Sequence, residues 1–376
     1  MILIMYEKEI RMDKNKDNRM KAVYFRENII KIIMFLCAML SVITTFGIVY
    51  SLFSESLPFF KEGRLFALVR PGKIWDPRGE IYSIWPLLTG TLMIVLFSCL
   101  FAIPLGLGSA IYLSEYAVPK WRNILKPILE ILAGIPSVVY GFFAFLYVTP
   151  LLKNNITWLA KIFLVMVLIV SPLIGAGFLK KMTNKGRLLI RIYDTIFGIM
   201  FIIIFFYLLV NFKQFWINTR KLEVETYNVL SASFSVGIMI TPLVASLSED
   251  ALKAVPNSLR EAALGLGMTK FETVWNIIVP AAISGIMSSF ILAISRAIGE
   301  TMVVAMAAGA KPVLNLNPLG QIQTMTGYMV SKSFGEVPVG SLEYQTVFVI
   351  GLILFFITLG LNIFAKKIVN LLREVY

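Results

Sequence analysis

The sequence predicts an all-α, polytopic membrane protein of about eight spanning helices, and three observations carry that expectation. Residues of the AVILMFWYC set make up 58% of the 376, only 15% are charged, and mean hydropathy is +0.79. A soluble domain of this length carries more charge. Several apolar runs also reach about 18 residues or more, the length that crosses a bilayer. Finally, the net charge of +13 gathers beside those runs. That pattern is cytoplasmic anchoring rather than nucleic-acid binding.

Composition also excludes chemistry. The chain has no histidine, so a His-based metal or acid–base site is ruled out. Cys37 and Cys99 both lie in apolar runs and read as buried free thiols, not a disulfide framework. No G-x-x-x-x-G-K-[ST] is present, so the chain itself is not expected to bind and hydrolyse ATP. No paired carboxylates or metal cluster points to a membrane-embedded enzyme, and no cofactor or metal is expected.

The elements follow in chain order. Residues 1–28 form a basic N-terminal tail, and the apolar run 29–53 is a first helix with its N-terminus in the cytoplasm. That run is too long for a signal-peptide core. Residues 54–83, with Pro58, Pro71 and Pro77, read as an extracytoplasmic loop. Its basic residues Lys61, Arg64, Arg70, Lys73 and Arg78 stand in tension with an outside location. Ile84 to Leu113 is a second helix. A short loop leads to a third, Ile124 to Val148, interrupted at GIPSVVYG, Gly134 to Gly141. Glu130 just before the interruption reads as a structural ion pair or cap.

Two further runs, Thr157 to Leu179 and Leu188 to Phe212, flank the basic loop Lys180 to Arg187. They predict an inserted hairpin within about 151–227, with its turn in the cytoplasm and Arg191 and Asp194 reaching the interface. Val229 to Leu247 is the next helix. A polar coupling loop of about 248–280 follows, then a spanning helix from Ile277 to Ala310. An outside loop leads to the last helix, Val347 to Phe364, and a basic cytoplasmic tail at 367–376.

The stretch Pro256 to Ala310 carries the chemistry. Glu261-Ala262-Ala263 is followed after three residues by Gly267, and after nine more by Ile277-Ile278-Val279-Pro280. This pattern resembles the EAA signature of permease subunits of binding-protein-dependent ABC importers, with Val279 where Leu is usual. The resemblance implies a type I ABC importer fold over 84–366, a six-helix core plus the inserted hairpin. It also implies a coupling helix that docks in a groove of a cytoplasmic ATPase. Ala262, Ala263 and Gly267 would keep that helix slim, Arg260 and Glu261 would offer charge pairs at its rim, and Pro280 closes the motif.

The segments AIPLGLGSAIYLSEYA, ILEILAGIPSVVYGFFA and ISRAIGETMVVAMAAG are similar to those of permeases in phosphate-specific importers. That narrower resemblance implies four partners: a sister permease, a pair of ATPase subunits that hold the ATP, an extracytoplasmic phosphate-binding protein, and membrane lipid. Arg296 and Glu300, four apart, would share one helix face near the bilayer midplane, turned toward the bundle interior. With Ser295 and Thr301 they form the expected substrate pathway. Permeases for molybdate, sulfate or phosphonate are the near alternatives. An ATP-independent channel or carrier is the distant one, and it would not need an ATPase-docking loop.

Overall fold

The computed structural model describes residues 2–162, 222–335 and 337–371, with positions 165, 199, 200, 203, 205–207 and 210. These residues are almost entirely helical. The all-α, polytopic class expected from the sequence is the class observed. Among the described residues, four helices are long and apolar enough to cross a bilayer: Arg26–Lys61, Trp85–Tyr116, Val229–Lys253 and Leu342–Leu371. Two sharply bent pairs bring the possible spans among the described residues to six. The expected hairpin loop Lys180 to Arg187, most of its two helices, Arg191 and Asp194 lie outside the described residues.

The first helix, α1 (Ile2–Lys61), is much longer than its apolar run. It takes in the tail expected at 1–28 and the start of the expected loop. The reason is propensity. No glycine or proline occurs before Gly47, and Lys, Glu, Arg and Met are good helix formers however polar the stretch. Pro58 lies inside the helix, whose last residue is Lys61. A short α2 (Leu65–Val69) follows. In this loop Arg64 pairs with Glu62 at 2.6 Å and Arg78 with Glu343 at 2.7 Å. Part of the basic charge that conflicts with an outside location is therefore neutralised where it sits. Phe59, Trp75, Tyr82 and Tyr328 pack edge-to-face in one cluster under the loop.

The helix α3 (Trp85–Ile111) runs on into a π-helical turn, Tyr112–Tyr116. It ends where Ala117 and Val118 adopt extended backbone. Proline then starts α4 (Pro119–Ala133), where a missing N–H costs nothing. The expected third helix is not one kinked span. It is α4 followed, across Gly134 to Pro136, by α5 (Ser137–Ile162) at 91°. Pro136 is the N-cap of α5, with extended ψ, and α4 stops short of it because proline disfavours helical backbone in the residue before it and cannot continue a helix.

The centre of the molecule is the pair α3 and α6 (Val229–Lys253). The Asn228 side chain caps α6 by accepting from Ser231 N–H at 2.8 Å. Small residues set the approach of the two helices, as is usual in lipid, where close packing replaces the hydrophobic drive. A Cβ on Gly106 would lie 2.6 Å from Val244 Cβ. Gly106→Leu is therefore expected to force α3 from α6, an overpacking cost of about 1–3 kcal/mol or more. The yield of monodisperse protein in detergent should drop sharply. Gly108→Leu, where nothing lies within 4 Å, should leave it unchanged. Equal yields from the two variants would refute the packing argument.

Beyond α6 come α7 (Asn257–Gly265) and α8 (Lys270–Ala281), then α9 (Ile283–Ile298) bent from α8 by 70°. Short helices α10 (Met302–Ala307) and α11 (Met325–Ser333) lead to α12 (Leu342–Leu371). The spanning helix expected from Ile277 to Ala310 is thus broken twice. Pro280, two residues before the first break, has no N–H to donate to the Asn276 carbonyl, which weakens the last turn of α8. At the second, Gly299 caps α9 and the chain restarts as α10.

Candidate functional site

Two surfaces carry the residues that the sequence singles out. The first lies at the elbow between α6 and α9. Val255, Val274, Ile278, Ala282 and Ile286 form a buried cluster there with Ala110 and Ile111 of α3. The helix α7 sits on this base and packs against the π-turn of α8. It ends in a Schellman motif. Met268 N–H donates to Ala263 carbonyl and Gly267 N–H to Leu264 carbonyl. Gly267 holds φ at +81°, a conformation that costs an L-residue about 1–2 kcal/mol. A capping box, Thr269 with Glu272, then starts α8.

The two alanines face opposite ways. Ala263 is buried against the elbow, while Ala262 is exposed. Glu261, Leu264, Leu266, Phe271 and Pro280 are also exposed, with Leu266 at 85%. Arg260 departs from the sequence reading. It does not lie at the rim. Its guanidinium turns inward to the Leu252 and Val255 carbonyls and to Glu115. The outward surface mixes apolar Ala262, Leu264, Leu266 and Phe271 with the acids Glu261 and Glu272, and no cation on α7 faces out.

The second surface is the upper part of α9. Ser284, Ser288, Ser295 and Arg296 lie at spacings that place them on one broad side of the helix. Arg296 is exposed and has no hydrogen-bond or ion-pair partner among the described residues. Ser295 Oγ donates to Asn362 Oδ1 on α12 at 3.0 Å. Glu300 is 8% exposed, and its Oε1 accepts from Val303 N–H at 3.2 Å, capping α10. Its carbonyl accepts from Thr326 Oγ1 at 2.7 Å. Thr301 Oγ1 donates to Gly299 carbonyl.

Three expectations need correction here. Arg296 is not in mid-helix but in the last turn of α9. It does not face the interior of this chain but its surface. It forms no pair with Glu300, because the helix ends at Gly299 and the i, i+4 register ends with it. A guanidinium exposed to hydrocarbon costs about 2.5–3.5 kcal/mol or more. Hydrocarbon is therefore an unfavourable neighbour for the Arg296 face.

Comparison with known proteins gives the family. The family described as "Binding-protein-dependent transport system inner membrane component" matches residues 174–374, more than half of the chain. The chain belongs to this family. Its relatives include the "Probable ABC transporter permease protein YqgH" of Bacillus subtilis, 27% identical over 283 residues, 74% of this chain and 70% of the relative. Another is the "Phosphate transport system permease protein PstC" of Xylella fastidiosa, 28% identical over 301 residues, 78% of this chain and 75% of the relative. The inward-facing MetNI methionine ABC transporter is a solved structure similar to it, at 16% identity and a TM-score of 0.42, covering 83% of this chain and 99% of that one. The chain is thus a PstC-like, multi-pass permease of an ABC importer.

Within this permease the structure brings forward residues that sequence reasoning missed. Glu249, fully buried near the end of α6, faces Lys126, Lys253 and Arg122. Glu115 takes Arg260, and Asn362 takes Ser295. A signal for Glu249 was available: an acid at the end of an apolar run, four before Lys253. The Asn362 and Glu115 partners join positions 67 and 145 apart, and no local pattern announces them.

Proposed function

We propose that this permease forms half of the translocation pathway of an ATP-driven importer of inorganic phosphate. The single observation that carries the reading is Arg296. It is a cation without a hydrogen-bond or ion-pair partner among the described residues, on the exposed face of a membrane helix and flanked by serines. A guanidinium there can hold two phosphate oxygens in a charge-assisted, bidentate contact. Phosphate, rather than molybdate, sulfate or phosphonate, is favoured by the RAIGET segment, Arg296 to Thr301, and by relatives whose names include phosphate transport. The exposed Glu261–Leu266 surface favours an ATPase-docking role over an ATP-independent channel, since apolar patches on water-facing surfaces mark interaction sites.

In this reading a sister permease covers the Arg296 face. Two ATPase subunits bind ATP and dock at α7, and an extracytoplasmic phosphate-binding protein delivers the substrate. The chain holds no cofactor of its own. It lies in the plasma (inner) membrane with both termini in the cytoplasm. Closure of the ATPases pulls the coupling helices inward and rocks the bundle from inward- to outward-facing. Ser295 and Thr301 supply hydroxyls near the anion. Glu300 accepts a hydrogen bond from a protonated phosphate oxygen, which sulfate lacks near neutral pH. It also caps α10.

Radiolabelled phosphate uptake by the reconstituted complex, with phosphate-stimulated ATP hydrolysis measured beside it, tests the reading. Stimulation by sulfate or molybdate alone would replace phosphate as the substrate. The Glu300 variants separate its two roles. Glu300→Gln keeps an acceptor for Val303 N–H and should preserve folding while weakening discrimination of phosphate from sulfate. Glu300→Leu removes the cap as well, at about 1 kcal/mol, and should also lower thermal stability. Unchanged selectivity in Glu300→Gln would leave Glu300 only its capping role.

A further inference from the structure

We infer that Arg260 and Glu249 are positioning residues that fasten the coupling elbow to three helices at once, so that a push on α7 moves the ends of α3, α4 and α6 as one body. The inference rests on the reading of the chain as an ATP-driven permease and adds to it how force leaves the coupling helix.

The covalent link between α6 and α7 is slender. Only residues 254–256 separate them, and a turn that short can hinge. Arg260 closes the hinge. Nη1 donates to Val255 carbonyl, and Nη2 donates to Leu252 carbonyl at 2.7 Å. These are carbonyls at the C-terminal end of α6, where backbone groups lack intrahelical partners. The same Nη2 reaches Glu115 at 3.0 Å on the π-turn that ends α3, and the two side chains are only 18% and 9% exposed. Lys270, at the start of α8, holds its ammonium 5.1 Å over the Tyr116 ring on that same turn. The coupling elbow therefore grips α3 twice without a covalent bond.

One turn further into α6, Glu249 is 0% exposed. It faces Lys126 at 3.2 Å and Arg122 at 3.8 Å, both on α4, and Lys253 on its own helix. Arg122 also donates to the Leu113 and Ser114 carbonyls at the end of α3. Lys126 also reaches Asp250 of α6 at 3.3 Å, so α4 is tied to α6 through two carboxylates, Glu249 the buried one, and to α3 through one guanidinium. An arginine that served the ATPase directly would leave its donors facing out. Arg260 spends them inside, and the neighbouring Glu261 is the charged residue left for a partner. Arg260 therefore acts through the frame and not by touching the ATPase.

The test uses the full complex in proteoliposomes, with phosphate uptake and ATP hydrolysis measured on the same vesicles. Arg260→Ala should retain bound ATPase and hydrolysis close to the parental rate. Phosphate moved per ATP should fall by about tenfold or more, the size of a typical coupling free energy. Glu115→Gln should lower the same ratio less. The double variant should fall no further than Arg260→Ala, since the two residues act as a pair. Arg260→Lys keeps the charge and should recover part of the ratio. If Arg260→Ala does not assemble, the Glu115→Gln ratio decides alone. A parental ratio in the variants that assemble would overturn the inference. So would loss of the ATPase from the Arg260→Ala complex while Glu115→Gln behaves as parent, because Arg260 would then be a docking residue. A parental complex that shows no ATP-driven uptake would overturn the functional reading and this inference with it.

Discussion

Arg296→Gln is expected to reduce phosphate uptake to background while the complex still assembles and binds its ATPases. The side chain has no hydrogen-bond or ion-pair partner among the described residues, so the substitution removes no such pairing there. What it removes is charge. A hydrogen bond to a charged group contributes about 1.5–3 kcal/mol, and a desolvated anion also loses the long-range attraction that brings it to the site. Glutamine keeps hydrogen-bonding capacity and comparable length, so a fall in uptake reports charge rather than shape. Arg296→Lys separates the next question. Lysine restores the charge as a point but not the planar fork, and uptake should recover in part. Radiolabelled uptake in reconstituted vesicles, with subunit content measured in parallel, gives the answer. Parental uptake by Arg296→Gln would make the residue a brace against the sister permease, and the proposed pathway would have to be sought elsewhere.

What the sequence disclosed and what it hid divide along a physical line. Apolar runs located α3, α6 and α12, because burial in lipid fixes composition over a whole span, but α6 runs past the expected Leu247 to Lys253 and α12 extends beyond the expected Val347 to Phe364 at both ends. The coupling elbow was legible for a different reason. Its glycine and proline positions are set by local backbone geometry, and local geometry is written in local sequence. The break after Arg296 was hidden inside a run that stays apolar to Ala310. There a capping glycine and a single carboxylate, Glu300, stop one helix and start the next, and hydropathy does not register so small a signal. The length of α1 was missed for the converse reason, since polarity was read as a loop where propensity favours a helix. Arg260 was misplaced because its partner Glu115 lies on a distant element, and spacing within a motif cannot say which way a side chain turns. For Arg296, the sequence located the charge in a membrane segment. Only the fold showed that it faces outward.

Gly267 provides the second large effect, and the structure changes its cause. The sequence reading made it a small residue that lets the coupling helix approach an ATPase groove closely, so that a bulky Gly267→Trp should block docking. In the fold the glycine is first a conformational requirement. Its φ of +81° allows the Schellman turn that ends α7 and aims the chain into α8. No atom lies within 4 Å of where its Cβ would be, so within this chain a side chain would meet no obstacle. The two causes predict different orders of severity. If backbone geometry governs, Gly267→Asn should keep most binding-protein-stimulated ATP hydrolysis, because asparagine tolerates left-handed backbone. Gly267→Val should lose it, because a β-branched residue is a genuine outlier there. The strain of about 1–2 kcal/mol is small against the whole fold. It is concentrated, though, in the turn that sets the angle of the docking surface, so insertion and assembly of the permease pair should survive in both variants. Gly267→Trp carries both penalties and should be inactive on either account. If close approach to the ATPase governs instead, asparagine and valine, similar in volume, should fail alike, and Gly267→Ala should be nearly parental despite its positive φ. Measuring stimulated hydrolysis across the four variants, with ATPase retention on purification as the control, distinguishes the two.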